Sequence, residues 1–454
     1  MTIALASDDK SVPGPSSWLP GGTFLKFRRD PLGFFAETQR TYGDIAKFSF
    51  GPQQVYLVSH PDWIEDVLVT SAKKFQKGVA LQRAKRLLGE GLLTSEGQAH
   101  LRQRRTIQPL FHRQQVQRFA EAMVKHAVRW RDSITPEATI DVTEEMAALT
   151  LAIVGETLFS SDVQGDADEV RIALTAAVQS FGIAFLPGVE YLENLPLPMF
   201  ARIRKARERL DRVIHRVIRE RRDDEPEGSS PQGGPQDLVS MLLAARDPEN
   251  LTSPGMSDAQ IRDEAMTIFL AGHETTANAM AWTWHLLSGA PHVDQTLQDE
   301  LRRVLDGRTP TVEDVPKLEY ARAVIAESMR LYPPAWTIGR RVMETHTIDG
   351  HTIEPGALVI MSQWIAHHDP RWWDEPQTFK PERWQSPSHR PKYAYFPFGG
   401  GSRICIGESF AWTEAILLLA TIAQRWSFAP VTAPTMEARI TLRPKGLSMR
   451  AHSR

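Results

Sequence analysis

Apolar residues at helical spacing dominate this chain, and strand-like alternation is confined to short stretches. Pro13-Gly14-Pro15 and Pro20-Gly21-Gly22 mark an irregular opening segment over residues 1–22. Pro31 to Tyr42 reads as a helix, and Ile45 to Val58 as a strand pair turning at Gly51-Pro52. His60-Pro61-Asp62 resembles a helix start, whereas Phe75 to Leu93 is mixed and loop-like. Helical patterns then run from about Arg113 to Arg222, interrupted by the apolar, proline-punctuated segment Phe181 to Phe200. Asp223 to Gln236 is by composition a solvated loop. Helical patterning resumes after it with no new fold signature, so it marks no domain boundary.

Ser257 and Gln260 form a capping-box pattern that predicts a long helix through Gly289. Gly272, Thr275 and Thr276 in its middle are poor helix-interior residues, so something other than helical stability favours them. Threonine hydroxyls can bond the backbone one turn earlier and bend a helix, which predicts a local opening here. Glu327 and Arg330 are spaced to meet on a helix, but so are Glu300 and Arg303, and most such pairs are exposed and weak. Thr347 to Ile360 reads as short strands, and Ser409 to Trp426 as a helix. The pattern predicts a mainly α protein with a small β region.

Length alone allows about three average domains, a soft prior. The 454 residues are 42% apolar and 24% charged, enough for a large core. A net charge of −2 gives no global drive toward nucleic acid or an anionic membrane. A single cysteine excludes an intrachain disulfide framework and any four-cysteine metal site, and suits a reducing cytoplasm. The N-terminus shows neither a signal-peptide core nor an apolar span of about 20 residues, so no transmembrane anchor is expected.

That cysteine, Cys405, lies in Phe396 to Glu408, FPFGGGSRICIGE, just before the last long helix. Glycine runs permit backbone conformations and close approaches that a Cβ would block. A helix start favours a thiolate over a thiol, suiting a metal ligand or a nucleophile. An inert buried cysteine is the plain alternative. The run fits F-x-x-G-x-R-x-C-x-G at Phe398, Gly401, Arg403, Cys405 and Gly407. It resembles the haem-binding loop of the cytochrome P-450 family, in which the cysteine thiolate is the axial ligand of the haem iron and favours O–O cleavage.

The resemblance extends from about Pro13 to the chain end, with the motifs in the family's order. It implies one large cytochrome P-450 domain over 1–454, with haem b between a long central helix and the cysteine loop-helix. Ala271, Gly272, Glu274 and Thr275 resemble the oxygen-activation motif A-G-x-[D/E]-T, implying that Thr275 bonds the oxygen and Glu274 connects to solvent. A carboxyl beside a hydroxyl can relay protons. The expected helix opening would leave room for oxygen and water. His100 and Arg104, four apart on one helix face, resemble a propionate clamp. Arg340 or Arg341 would supply a further propionate contact, and the spacing to Gly350 favours Arg340. Glu327, Arg330 and Arg383 would form a buried network supporting the cysteine loop. Phe398, Arg403, Gly407 and Ala271 would flank the haem, and Leu88, Phe181, Phe185, Phe269, Ala335 and Trp336 would line the substrate pocket.

The implied activity is a haem-thiolate monooxygenase that inserts one atom of O2 into a lipophilic small molecule. Electrons would come from NAD(P)H through a ferredoxin- or flavodoxin-type donor and its reductase. Only 49 residues follow Cys405, too few for a fused reductase. A monomeric, cytoplasmic enzyme without nucleic-acid partners is expected. Arg102, Arg105 and Arg113 would either help dock an acidic redox partner or form a solubilising face. A peroxygenase and a non-catalytic haem sensor or carrier are the alternatives, and the Glu274–Thr275 pair argues against both. His273-Glu274 begins the zinc-protease pattern H-E-x-x-H, but residue 277 is alanine, so that reading fails. His351, His367 and His368 have no supporting motif and are expected at the surface or at strand ends.

Overall fold

The structure, a computed structural model, describes residues 12–19, 21–159, 198–223, 237–250, 255–387 and 389–454. The fold is mostly helical with small sheets. The chain forms two compact units: Met1–Val79, Ala335–Thr378 and His389–Cys405 make the first, and Ala80–Pro334, Phe379–Ser388 and Ile406–Arg454 the second.

The first unit is built on a five-stranded sheet ordered Ile45–Phe50, Gln53–Val58, Leu358–Met361, Ile338–Val342, Phe75–Lys77. The predicted hairpin has Ile45 opposite Val58 and Phe50 opposite Gln53, with Gly51 at φ 61 in its two-residue turn. That positive φ suits glycine in a tight hairpin turn. Val58, Val67, Phe75, Val342, Val359, Met361 and Phe396 share the core of this unit. The Pro31–Tyr42 helix has Asp30 as its cap, accepting from the Gly33 amide at 2.9 Å, and stops at Gly43.

The second unit is organised around the helix Asp258–Ser288. The predicted capping box forms: Ser257 Oγ accepts from the Gln260 amide at 3.3 Å, and Gln260 Oε1 from the Ser257 amide at 3.0 Å. This helix packs against Val142–Phe159 and Glu319–Leu331. Helix Glu408–Ala423 follows the cysteine loop and is buried continuously from Glu414 to Ala423. Small sheets formed by Thr139–Asp141, Ser448–Ser453 and Trp426–Pro430, and by Thr435–Ala438 and Leu442–Lys445, complete it. Among the described residues no helix is long and apolar enough to cross a membrane.

Several expectations are corrected. Val79–Leu88 is a helix rather than a loop: Ala84 and Leu88, four apart, are buried, and the interspersed Arg83 and Lys85 blur the periodicity. The last helix ends at Ala423, because Trp426 already belongs to a strand paired with Ser453. Helical patterning after Arg113 is broken at Thr139–Asp141, a short strand paired with residues 448–450. His367 is fully buried rather than superficial, and its Nε2 accepts from the Phe396 amide at 3.0 Å. That amide opens the cysteine loop, and a buried donor needs an acceptor. Most of the run from Phe181 to Phe200, with Phe181 and Phe185, lies outside the described residues.

Candidate active site

In the first unit, the loop after Phe396 is closed by two backbone bonds, Gly399 N to Phe396 O and Cys405 N to Phe398 O, both 2.9 Å. Gly399 and Gly401 take φ values of 76 and 66. A Cβ at Gly401 would stand 1.9 Å from the Leu68 carbonyl oxygen, so the loop's approach to the turn Asp66–Thr70 requires glycine there. Arg403 braces the loop, donating to Phe75 O at 3.1 Å and Ala72 O at 3.4 Å. Cys405 is exposed at the end of this braced turn. The chain reaches helix Glu408–Ala423 three residues later, with Gly407 at its N-cap.

Arg340 is buried, with Nη1 bonded to Gly339 O at 3.1 Å, whereas Arg341 on the other face of the strand is exposed. Strand register sets Lys77 directly opposite Arg340. Opposed residues of an antiparallel pair project from the same face, where like charges repel. Lys77 and Arg340 are thus two buried cations set side by side. Phe398 is half-buried. Trp336 packs its ring on Phe35, while its neighbour Ala335 is partly exposed.

In the second unit, the central helix stays α-helical through Ala271–Thr276, so the opening expected there is not observed. The expected threonine back-bond does form, Thr275 Oγ1 donating to Ala271 O at 2.8 Å. Gly272 serves close packing, since a Cβ would meet Val154 at 3.3 Å. His273 is buried, hydrogen-bonded to Phe269 O at 3.0 Å, and burial pushes its pKa down. Glu274 is half-buried: Thr441 Oγ1 donates to its Oε1 at 2.7 Å, and Asn278 Nδ2 donates to Thr441 Oγ1 at 3.1 Å. Neither Thr441 nor Asn278 was legible as a partner, because the first lies 167 residues away.

His100 is buried and Arg104 half-buried on the helix Gly97–Ile107, four residues apart as predicted. Arg105 pairs with Asp247 at 3.1 Å and Glu249 at 2.6 Å, so its charge is spent inside the unit, while Arg102 and Arg113 are exposed. Leu88 and Phe269 are buried.

Glu327, fully buried with Arg330, is the hub of a cluster whose other members are partly buried. Its carboxylate accepts from Arg330 Nη2 at 2.8 Å and Nε at 2.9 Å, and from Arg383 Nε at 3.0 Å. Trp384 Nε1 at 2.9 Å and the Lys380 amide at 3.2 Å complete the set. Trp384 was missed, although it follows Arg383 directly. Glu300 differs from the expected exposed pair: it is buried, accepts from the Tyr320 and Ala321 amides at 2.7 and 2.9 Å, and only approaches exposed Arg303 at 3.9 Å. Glu414 was also missed, though a lone charge inside an apolar run was its signal. Buried completely, its carboxyl is pushed up to about 8 by loss of solvent, against a small opposing effect of the Thr276 hydroxyl.

A braced, exposed thiol on a glycine loop has the donor chemistry of a haem-thiolate ligand. The family model for cytochrome P-450 matches residues 12–451, and the chain belongs to that family. It is 38% identical over 421 residues to cyclooctatin synthase of Streptomyces melanosporofaciens, covering 92% of this chain and 90% of the relative. Cyclooctat-9-en-7-ol 5-monooxygenase of the same organism is 36% identical, covering 92% and 89%. Pentalenene oxygenase of Streptomyces avermitilis is 33% identical over 442 residues, covering 95% and 93%. The protein is thus a cytochrome P-450 monooxygenase using haem b held by a cysteine thiolate, O2, and electrons from NAD(P)H delivered by redox partners. It inserts one oxygen atom into a lipophilic small molecule. The residues present fit the group: the chain has one cysteine, and its thiol is exposed.

Proposed function

We propose that this monooxygenase hydroxylates a cyclic terpenoid hydrocarbon or its partly hydroxylated derivative. The observation carrying this reading is that three relatives, at 38, 36 and 33% identity over nearly the whole chain, are named for cyclooctatin, cyclooctat-9-en-7-ol and pentalenene. The absence of charge on Leu88, Phe269, Ala335 and Trp336, the described pocket candidates, is in keeping with an apolar ligand. The single family model spanning both units supports reading them as one catalytic domain.

Within this reading Cys405 ligates the haem iron, and Phe398, Gly407 and Ala271 flank the haem. His100, Arg104 and Arg340 act on the propionates, Lys77, opposite Arg340, joins them, and Arg403 flanks the haem. The haem, when bound, supplies oxygen activation. The protein's task is to hold it, exclude water and move protons. Glu274 and the neighbouring Thr275 hydroxyl form an acid–alcohol pair suited to proton relay. Glu327, Arg330 and Arg383 act at a distance by fixing the scaffold. Arg102 and Arg113, both exposed, are suited to an acidic ferredoxin- or flavodoxin-type donor. A cytoplasmic monomer is the setting that fits separate carriers.

The test is the visible spectrum of the reduced protein with carbon monoxide, for wild type and Cys405→Ser, followed by spin-state titration with pentalenene and cyclooctat-9-en-7-ol. A strongly red-shifted Soret band lost in the variant supports the ligand assignment. Spin shifts with these two cyclic terpenoids but not with fatty acids support the substrate class, and the reverse preference overturns it.

A further inference from the structure

Glu274, Asn278 and Trp282 are spaced four apart along the central helix, so they form one stripe on its surface. All three engage the same two residues of the Thr435–Lys445 hairpin. Trp282 Nε1 donates to Leu442 O at 3.1 Å, Asn278 Nδ2 to Thr441 Oγ1 at 3.1 Å, and Thr441 Oγ1 to Glu274 Oε1 at 2.7 Å. The Leu442 amide in turn donates to Pro334 O at 2.9 Å.

A hydroxyl has one proton to give. Thr441 gives it to Glu274 and receives one from Asn278, so the chain has a single direction, Asn278 to Thr441 to Glu274. Asn278 and Thr441 are buried, so water competes poorly with these bonds. Only the carboxylate end reaches the half-buried edge of the helix. A 2.7 Å O–H···O contact is at the usual optimum, and bonds to a charged acceptor are about twice as strong as neutral ones.

We infer that Thr441 is the positioning residue for Glu274, fixing one carboxylate oxygen while Asn278 fixes Thr441. The inference rests on the proposed relay role of Glu274.

The test uses the haem-loaded protein in wild type, Thr441→Val, Thr441→Ser and Glu274→Gln. Isotope-edited infrared spectroscopy locates the Glu274 carboxylate band as the one lost in Glu274→Gln. Thr441→Val should displace that band and Thr441→Ser should return it, with unchanged thermal midpoints. With redox partners and pentalenene as probe, Thr441→Val and Glu274→Gln should release several-fold more peroxide per NAD(P)H, and Thr441→Ser should match wild type. An undisplaced band in Thr441→Val overturns the positioning role. Wild-type peroxide release in Glu274→Gln overturns the relay reading itself, and this inference with it.

Discussion

Arg330 Nη2 donates to Glu327 Oε1 at 2.8 Å, and neither side chain has any solvent exposure. The same E-x-x-R spacing recurs at Glu300 and Arg303, where Arg303 is 70% exposed. Truncating one partner of a buried ion pair leaves an uncompensated charge and costs about 3–5 kcal/mol. Glu327→Ala strands both Arg330 and Arg383, so it should sit at the top of that range and abolish haem retention. Glu300→Ala removes the acceptor of two backbone amides, about 1–3 kcal/mol each, but strands no buried charge, so it should cost less than Glu327→Ala. Urea unfolding of the two variants checks the order, and equal losses would refute it.

The cysteine loop offers a paired glycine test. Gly399 and Gly401 both have positive φ, where an L side chain costs about 1–2 kcal/mol. At Gly399 a Cβ meets only the flexible Ile338 side chain at 3.4 Å, whereas at Gly401 it meets a backbone oxygen at 1.9 Å. Gly399→Ala should therefore fold and hold haem with a modest loss in thermal midpoint. Gly401→Ala should force the loop off the Asp66–Thr70 turn and lower haem occupancy several-fold, measured by haem-to-protein absorbance ratio.

Lys77 and Arg340 share a strand-register position and are both buried. If they hold propionates, Lys77→Met and Arg340→Met should each speed haem transfer to an acceptor apoprotein several-fold. Arg341→Met, on the opposite face, should leave the rate unchanged. A common rate for all three would remove these cations from the haem site.

The local signals in the sequence were followed closely. The capping box at Ser257, the hairpin at Gly51 and the Pro31 helix start formed as read, because each depends on residues within a few positions. Failures came where distant chain decides the outcome. His367 is buried because the Phe396 amide, 29 residues away, needs an acceptor. Glu300 looked like a surface ion pair until the start of helix Glu319–Leu331 supplied two amides. The motif on the central helix was visible, but not that Gly272 accommodates Val154 or that Thr441 reaches Glu274. Lys77 carried no signal before the strand register was known.

Glu414 gives a pH prediction. Neither of its oxygens has a well-formed hydrogen bond among the described residues, and burial raises its carboxyl from 4.5 to about 8, with the Thr276 hydroxyl opposing the rise. Among the described residues no charged side chain contributes to that shift. Between these two pH values the folded protein keeps a proton that the unfolded chain has released, so stability falls as pH rises. The penalty is absent below the unfolded pKa and complete once pH passes the folded one. Glu414→Gln keeps the shape and removes the titration, so its thermal midpoint should gain on wild type steadily from pH 5 to pH 8, about the window bounded by the two pKa values. Infrared spectra should show a protonated carboxyl band at pH 7 in wild type that Glu414→Gln lacks. A midpoint difference independent of pH would mean that Glu414 is ionised in the fold and that an unseen donor compensates it.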